Sequence, residues 1–305
     1  MTLIAGVNDH GRRLDRILRK TLPDCPLPLI HKLLRKKLVL VNNKPATPQT
    51  RVLKGSIIKI PRLSAGKIAK KTIKIDTPAR FFHTPEVLWQ TDGLIAFNKS
   101  AGLAVHGPAS LDRMVQAYLV DKLPPSLSFK PGPLHRLDKP SSGIVIFSTS
   151  LDGANLFSNL MKEHKIKKTY KAIVEGTVDG KHSWTDYLFR DKEKKKSFIT
   201  ENDKGKIAIT MVVPLAAAVF MGKPYTLIEA EIETGRTHQI RAQSSFHGHP
   251  LAGDRKYSGH VFKGGFYLHA YKMEFIIDNV THKIECPLPV EFQGVVDMVF
   301  GGITH

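Results

Sequence analysis

A chain of 305 residues, 42% hydrophobic and 24% charged, is long enough for one large domain with or without a small one, and its composition excludes a disordered, fibrous or collagenous protein. Its formal charge of +19 is uneven: residues 1–74 hold 18 Lys and Arg against Asp9, Asp15 and Asp24, a surplus of +15, whereas the other 231 residues carry 28 basic and 24 acidic side chains, only +4. Such a density points to a polyanionic partner, a phosphate backbone first and an anionic membrane surface second.

Within the basic segment, Leu14, Ile17, Leu18 and Leu22 recur at helical spacing, and Leu29, Ile30, Leu33 and Leu34 do so again beyond a Pro-rich break. Leu38 to Val41 reads as a strand, Asn42-Asn43-Lys44 as a turn, and Val52-Leu53 with Ile57 to Ile60 as strands around Gly55. The result is an α-α-β unit over residues 1–62. It resembles the S4 RNA-binding domain in Gly11-Arg12-Arg13-Leu14-Asp15, in Leu33-Leu34-Arg35-Lys36-Lys37 and in Val39-Leu40-Val41-Asn42. The resemblance implies RNA contacts from Arg12, Arg13, Arg35, Lys36 and Lys37, the last three at a helix end where cations also suit the helix dipole. A solvated basic face is the plain alternative.

Residues 63–82, with Lys67, Lys70, Lys71, Lys74, Gly66 and Pro78, show no apolar period and read as a basic linker. From there the texture turns to mixed α/β, assigned to a second domain over 83–305. Val87 to Gln90 and Leu94 to Phe97 read as a hairpin around Asp92-Gly93, Ser110 as the cap of a helix carrying Leu111, Met114, Val115, Tyr118 and Leu119, and Gly143 to Phe147 as a strand. A helix over Leu151 to His164, strands over Thr169 to Val174 and Tyr225 to Ile232, and a helix opened by Gly235 follow. The expected class is α+β, with a mixed, largely antiparallel sheet.

No apolar run approaches the ~18 residues that cross a bilayer, and the first residues lack the basic and apolar regions of a signal peptide, so a cytoplasmic protein without a membrane partner is expected. Cys25 and Cys286 stand in no C-x-x-C spacing and read as inert buried thiols.

The chemistry concentrates in Leu134-His135-Arg136-Leu137-Asp138-Lys139-Pro140-Ser141-Ser142-Gly143, between a Pro-Gly-Pro turn and a strand. A carboxylate held there by a rigid sheet, with Arg136 and Lys139 favouring its ionised form, suits a nucleophile or base. Taken alone, Arg-x-Asp reads more readily as a loop salt bridge. The segment resembles the H-R-L-D-x-x-T-S-G motif of the RluA family of pseudouridine synthases, with Ser141 in place of Thr. Further segments resemble that family in its order: Asn98 to His106, with Ser100 in place of Pro; Lys168 to Val174; Thr234-Gly235-Arg236-Thr237-His238-Gln239-Ile240-Arg241; Gly248 to Asp254 with Tyr257; and Leu268-His269-Ala270. Gln243 stands where the family has His. The resemblance spans residues 84–295.

That resemblance implies an RNA pseudouridine synthase in which Asp138 attacks the flipped uridine at the ribose or the base. Arg241 would pair with Asp138 and keep it ionised, its alternative being a phosphate contact. Tyr170 would stack on uracil and assist proton movement, Leu268 would close the apolar side, and Arg136 would help extrude the target. His135, Arg236 and His238 complete the expected substrate-binding set. An isomerisation needs no cofactor and no metal, and a monomer acting on RNA is expected. The S4-like unit and Gly102 to Gly107 look most like the branch acting on large-subunit ribosomal RNA, with transfer RNA as the alternative. A catalytically silent RNA-binding or ribosome-assembly protein is the rival outside enzymes. A hydrolase using Ser141 or Ser142 lacks a G-x-S-x-G elbow, and a metal site at His247 and His249 lacks further ligand spacing.

Overall fold

Leu14, Ile17 and Leu18 line one face of helix α1 (Leu14–Thr21), and Ile30, Leu33 and Leu34 line one face of α2 (Leu27–Arg35); all six are buried together. Val39, Val52, Ile58 and Ile60 complete this small core. Each such side chain contributes roughly 1.5–3 kcal/mol on burial. The strands of this unit are short: β1 (Thr2–Ile4), β2 (Arg12–Arg13), β3 (Leu40–Val41), β4 (Lys44–Pro45), β5 (Arg51–Val52) and β6 (Ile57–Lys59). Four of them form a sheet in the order β1-β6-β3-β4, and β2 pairs with β5. The computed structural model describes residues 1–61, 84–201, 204–262 and 264–301, so the expected linker at 63–82 lies outside the described residues.

A larger sheet is made by β7 (Val87–Thr91), β8 (Leu94–Lys99), β9 (Gly132–Pro133), β10 (Ser142–Ser148), β11 (Lys167–Glu175), β12 (His182–Asp191), β13 (Lys196–Thr200), β14 (Lys206–Phe220), β15 (Lys223–Ile232), β16 (Leu268–Ile277) and β17 (Val280–Glu285). Its order is β13-β12-β14-β15-β11-β16-β10-β8-β7, with β17 beside β16 and β9 beside β10. Every pairing is antiparallel except β10 with β16. Side chains alternate across it: Ile95, Phe97, Val145 and Phe147 enter one core with Leu111 and Val115 of α3 (Leu111–Leu119), while Leu94, Ala96, Ile144 and Ile146 enter another with Phe157 and Leu160 of α4 (Leu151–Lys162). Both faces of the central strands are covered, which is why β10 is buried throughout. Helix α5 (Gln239–Phe246) sends Ile240 into the first core, and α6 (Val290–Phe300) packs on a third. This is the mixed, largely antiparallel α+β sheet expected.

Helix α5 begins at Gln239, not at Gly235 as the sequence had indicated. The Gln239 side chain folds back to accept from Arg236 N–H and Thr234 Oγ1, and His238 adopts φ 57, so the Thr234–His238 segment is a tight loop, not a helical turn. A non-glycine residue in that left-handed region is held there by its surroundings, a feature that clusters at functional sites.

The two units are joined through one carboxylate. Asp9 accepts hydrogen bonds from the backbone N–H groups of Gly6, Leu127 and Ser128 and from the hydroxyls of Ser126 and Ser128, at 2.6–3.0 Å. Beside it, Asn8 accepts from Leu151 N–H at the start of α4, and Leu127 packs on the N-terminal core. Arg12, expected on the RNA face, donates instead to the Ser128 carbonyl at 3.1 Å: it is spent on this junction. Arg13 is likewise engaged, in a two-point pair with Asp15. Arg35, Lys36 and Lys37 stay exposed at the end of α2.

Candidate active site

The loop carrying Asp138 is pinned at every side. His135 Nε2 accepts from Ile146 N–H at 3.0 Å and its ring stacks on Phe157, so burial pushes its pKa down to about 3. Expected to touch substrate, His135 faces the opposite core and serves as an anchor. The Asp138 carbonyl accepts from Ser141 N–H, closing a turn. Lys99, fully buried, donates to the carbonyls of Ser100, Leu103 and Lys139 at 3.1, 2.7 and 3.2 Å, tying the 99–103 loop to the loop that carries Asp138. Burial lowers its pKa to about 8 in spite of the opposing pull of Asp138. Gly143, at φ 109, brings the loop onto the Ala270 backbone, where any Cβ would collide with a carbonyl oxygen.

Around Asp138 the structure gathers Arg136, Tyr170, Arg236, His238, Arg241 and Leu268 in one pocket. Arg241 Nη1 donates to Asp138 Oδ2 at 2.8 Å. Its remaining donors grip Asp254, Nε to Oδ2 at 2.6 Å and Nη2 to Oδ1 at 2.9 Å. The guanidinium carbon lies over the rings of Tyr257 and Phe266, 5.0 and 4.6 Å from their centroids. Burial opposes its charge, but the hydrogen bonds and charges of Asp254 and Asp138 outweigh burial and raise its pKa. A buried guanidinium so held cannot turn to solvent, and it fixes the carboxylate geometrically as well as electrostatically.

His238 Nε2 lies 3.6 Å from the same Oδ2. Its Nδ1 lies 2.8 Å from the Tyr257 hydroxyl and 3.5 Å from Nη1 of Arg190, which can only donate, so Nδ1 is read as the acceptor and the ring proton is assigned to Nε2, facing Asp138. Burial and the charges of Arg241, Arg190 and Lys256 lower the His238 pKa to about 4 against the opposing pull of Asp138, which leaves the ring neutral near pH 7. Arg241 donates to Oδ2 and His238 approaches that same oxygen, while no described residue hydrogen-bonds Oδ1. Tyr170 is buried, and burial and then the Asp138 charge raise its pKa, so its phenol keeps its proton. Leu268 supplies the apolar wall, and Arg136 stands exposed at the rim. Arg236 lines the pocket while its Nε donates to the Ile207 carbonyl.

The rival constellations come apart. His247 pairs with Asp186 and stacks on Trp184, His249 approaches the Glu175 carbonyl, and among the described residues no three His, Cys, Asp or Glu side chains converge to hold a metal. Ser142 does meet a histidine, His269 Nδ1 at 2.9 Å, but both are buried and the other ring nitrogen donates to the Cys286 carbonyl, so the pair seams β10 to β16. Gln243 is fully buried, linking Asp186, Thr210 and two strand carbonyls. Both cysteines are buried free thiols. Sequence reasoning assigned no role to Asp254, Tyr257 or Lys99, although the motifs that drew attention to the region contain all three.

Among the described residues no helix is long and apolar enough to cross a membrane. The family model described as RNA pseudouridylate synthase matches residues 93–246, and that of the S4 domain matches residues 12–58. The chain is 30% identical to "Ribosomal large subunit pseudouridine synthase D" of Neisseria meningitidis serogroup A, over 92% of this chain and 76% of that protein. It is 31% identical to "tRNA pseudouridine synthase C" of Vibrio parahaemolyticus, over 63% of this chain and 84% of that protein. Its fold resembles that of "Human RNA Pseudouridylate Synthase Domain Containing 4", with a TM-score of 0.58, 22% identity and coverage of 69% of this chain and 91% of that one.

Proposed function

The chain belongs to the RNA pseudouridylate synthase family, and from that premise we propose that it isomerises uridine in large-subunit ribosomal RNA, with Asp138 as the nucleophile and residues 1–62 and 83–305 as its RNA-binding and catalytic parts. The observation that carries the chemical assignment is the Asp138–Arg241–Asp254 arrangement: one carboxylate, oriented by a guanidinium that a second carboxylate anchors, with one oxygen free of hydrogen bonds from the described residues. Asp138 attacks the ribose or the base, the uracil detaches, rotates and rejoins through carbon, and Tyr170, protonated and beside Asp138, stacks on the ring and assists the proton transfer at C5. Leu268 shapes the apolar side, Arg136 at the rim takes the place of the extruded nucleotide, and Arg236 and His238 flank the entry. The chemistry asks for no redox or water-activating group, so the proposed reaction needs no cofactor, and a monomer is the form proposed to act on RNA.

The choice of ribosomal RNA rests on extent. The relative named for large-subunit RNA aligns over 92% of this chain, through the S4-like unit, whereas the one named for tRNA aligns over only 63%. Exposed Arg35, Lys36 and Lys37 at the end of α2 give the S4-like unit its phosphate contacts. Mapping pseudouridine sites in RNA from cells lacking the gene, and again after its return, tests this: loss and restoration of a site in large-subunit RNA supports it, and a change confined to tRNA overturns it.

A further inference from the structure

Beside the catalytic pocket, three cationic side chains from three separate stretches of chain meet. Arg190, near the end of β12, has its Nη1 3.5 Å from Nδ1 of His238, which puts the guanidinium one imidazole ring away from Asp138. Lys196 opens β13, and its ammonium lies over the rings of Tyr257 at 4.7 Å and Phe198 at 5.4 Å. Lys256, exposed in the turn Arg255–Tyr257, sits close enough to the others that burial and then the charges of Arg241, Arg190 and Lys196 hold its pKa down. Among the described residues none of the three forms an ion pair. The acidic neighbour Asp191, cross-strand from Lys196, instead accepts the backbone N–H of Lys194. Like charges left together without a counter-charge oppose folding, and a cleft so lined attracts an anion.

We propose that Arg190, Lys196 and Lys256 form a phosphate-binding site that holds the backbone phosphodiester next to the nucleotide entering the Asp138 pocket. The inference rests on the reading of that pocket as the seat of the uridine. A ribose presented to Asp138 carries its phosphates only a few bonds away, so they emerge at the pocket's edge, and the cations are there. Gripping that phosphate orients the sugar and favours the extruded conformation, with no reading of base sequence. The site belongs to the catalytic unit and is separate from the exposed cations of the S4-like unit.

The test uses the full chain, a short oligo-uridylate and a counterpart with uncharged methylphosphonate linkages, with binding followed across a salt series. Changing Arg190, Lys196 and Lys256 to Gln should flatten the log–log salt slope by about 0.7 for each phosphate released, hence by about 0.7–1.4 for one or two, and leave binding of the uncharged oligomer unchanged. Changing Lys162, Lys181 and Lys223 to Gln, exposed lysines on other elements, removes the same charge and should leave the slope as it was. A slope unchanged in the first variant, or lowered equally in the second, overturns the site. If melting shows the triple variant misfolded, Lys256→Gln alone carries the test, since that side chain is exposed on a turn. Binding is read without turnover, so a chain that failed to isomerise uridine would contradict the proposed function and leave this result standing on its own.

Discussion

Arg241 stands between two carboxylates, its Nη1 2.8 Å from Asp138 Oδ2 and its Nε and Nη2 gripping Asp254 at 2.6 and 2.9 Å. Asp254 therefore aims the guanidinium, and the guanidinium aims Asp138. Breaking one side of a buried pair typically costs ~3–5 kcal/mol. Asp254→Asn should lower stability by that order in denaturant melts and cut the rate at saturating RNA. Arg241→Lys keeps a charge but cannot fork, so it should rescue stability only in part and the rate hardly at all. A full rate for Arg241→Leu would leave Arg241 as a phosphate contact.

Lys99 supplies a second clamp on the same loop. Its folded pKa, near 8, lies below the ordinary 10.5, so between about pH 8 and 10.5 the unfolded chain holds the proton that the folded chain has released. On this group alone stability rises with pH through that window. The neutral amine, however, has one donor fewer for three carbonyls. Activity should fall above about pH 8 without a matching fall in melting temperature, and Lys99→Met should abolish that divergence while lowering stability at neutral pH, since each orphaned carbonyl costs about 1–3 kcal/mol.

His238 is expected to stay neutral with its proton on Nε2. Its folded pKa, about 4, lies below the ordinary 6.5, so its contribution to stability is present above 6.5 and is lost as pH falls toward 4. Nitrogen chemical shifts of the ring should report the Nε2–H tautomer at pH 7 and no titration above pH 5. Tyr257→Phe removes the donor to Nδ1 and should mix the tautomers. A ring that titrates near 6.5 contradicts this.

The Asp9 junction bears on the N-terminal unit. With five donors converging on one carboxylate, Asp9→Ala should cost about 2–4 kcal/mol and loosen the S4-like unit from the catalytic one. Hydrogen exchange at Leu127 and Ser128 should rise. Removing the whole unit would also expose Leu127, so such a chain should be active at high concentration but less stable than the parent.

Much of this was legible in the sequence because it is local. Apolar spacing at 3.6 and 2 residues placed α1, α2 and the central strands, and the motif segments named Asp138, Tyr170, Arg241 and Leu268, which the fold brings to one pocket. What escaped depends on long-range encounter. Nothing in the spacing tells which carboxylate meets a guanidinium, so Asp254 went unassigned, and four of the five hydrogen bonds to Asp9 come from 117–119 residues away. His135 was misread because a motif position does not say which face of the sheet it takes. The place of Arg12 at the domain junction was not legible either, because a basic residue on a basic unit can serve such a junction as well as a phosphate.

The most direct test of the central claim is the release of tritium from RNA labelled at uracil C5, together with RNA affinity, for the parent chain and Asp138→Asn. Asn keeps the size of the side chain and can still meet Arg241 through its carbonyl, but it cannot act as the nucleophile. Tritium release should disappear while affinity stays within a few-fold. Appreciable release by the purified variant would contradict the assignment of Asp138.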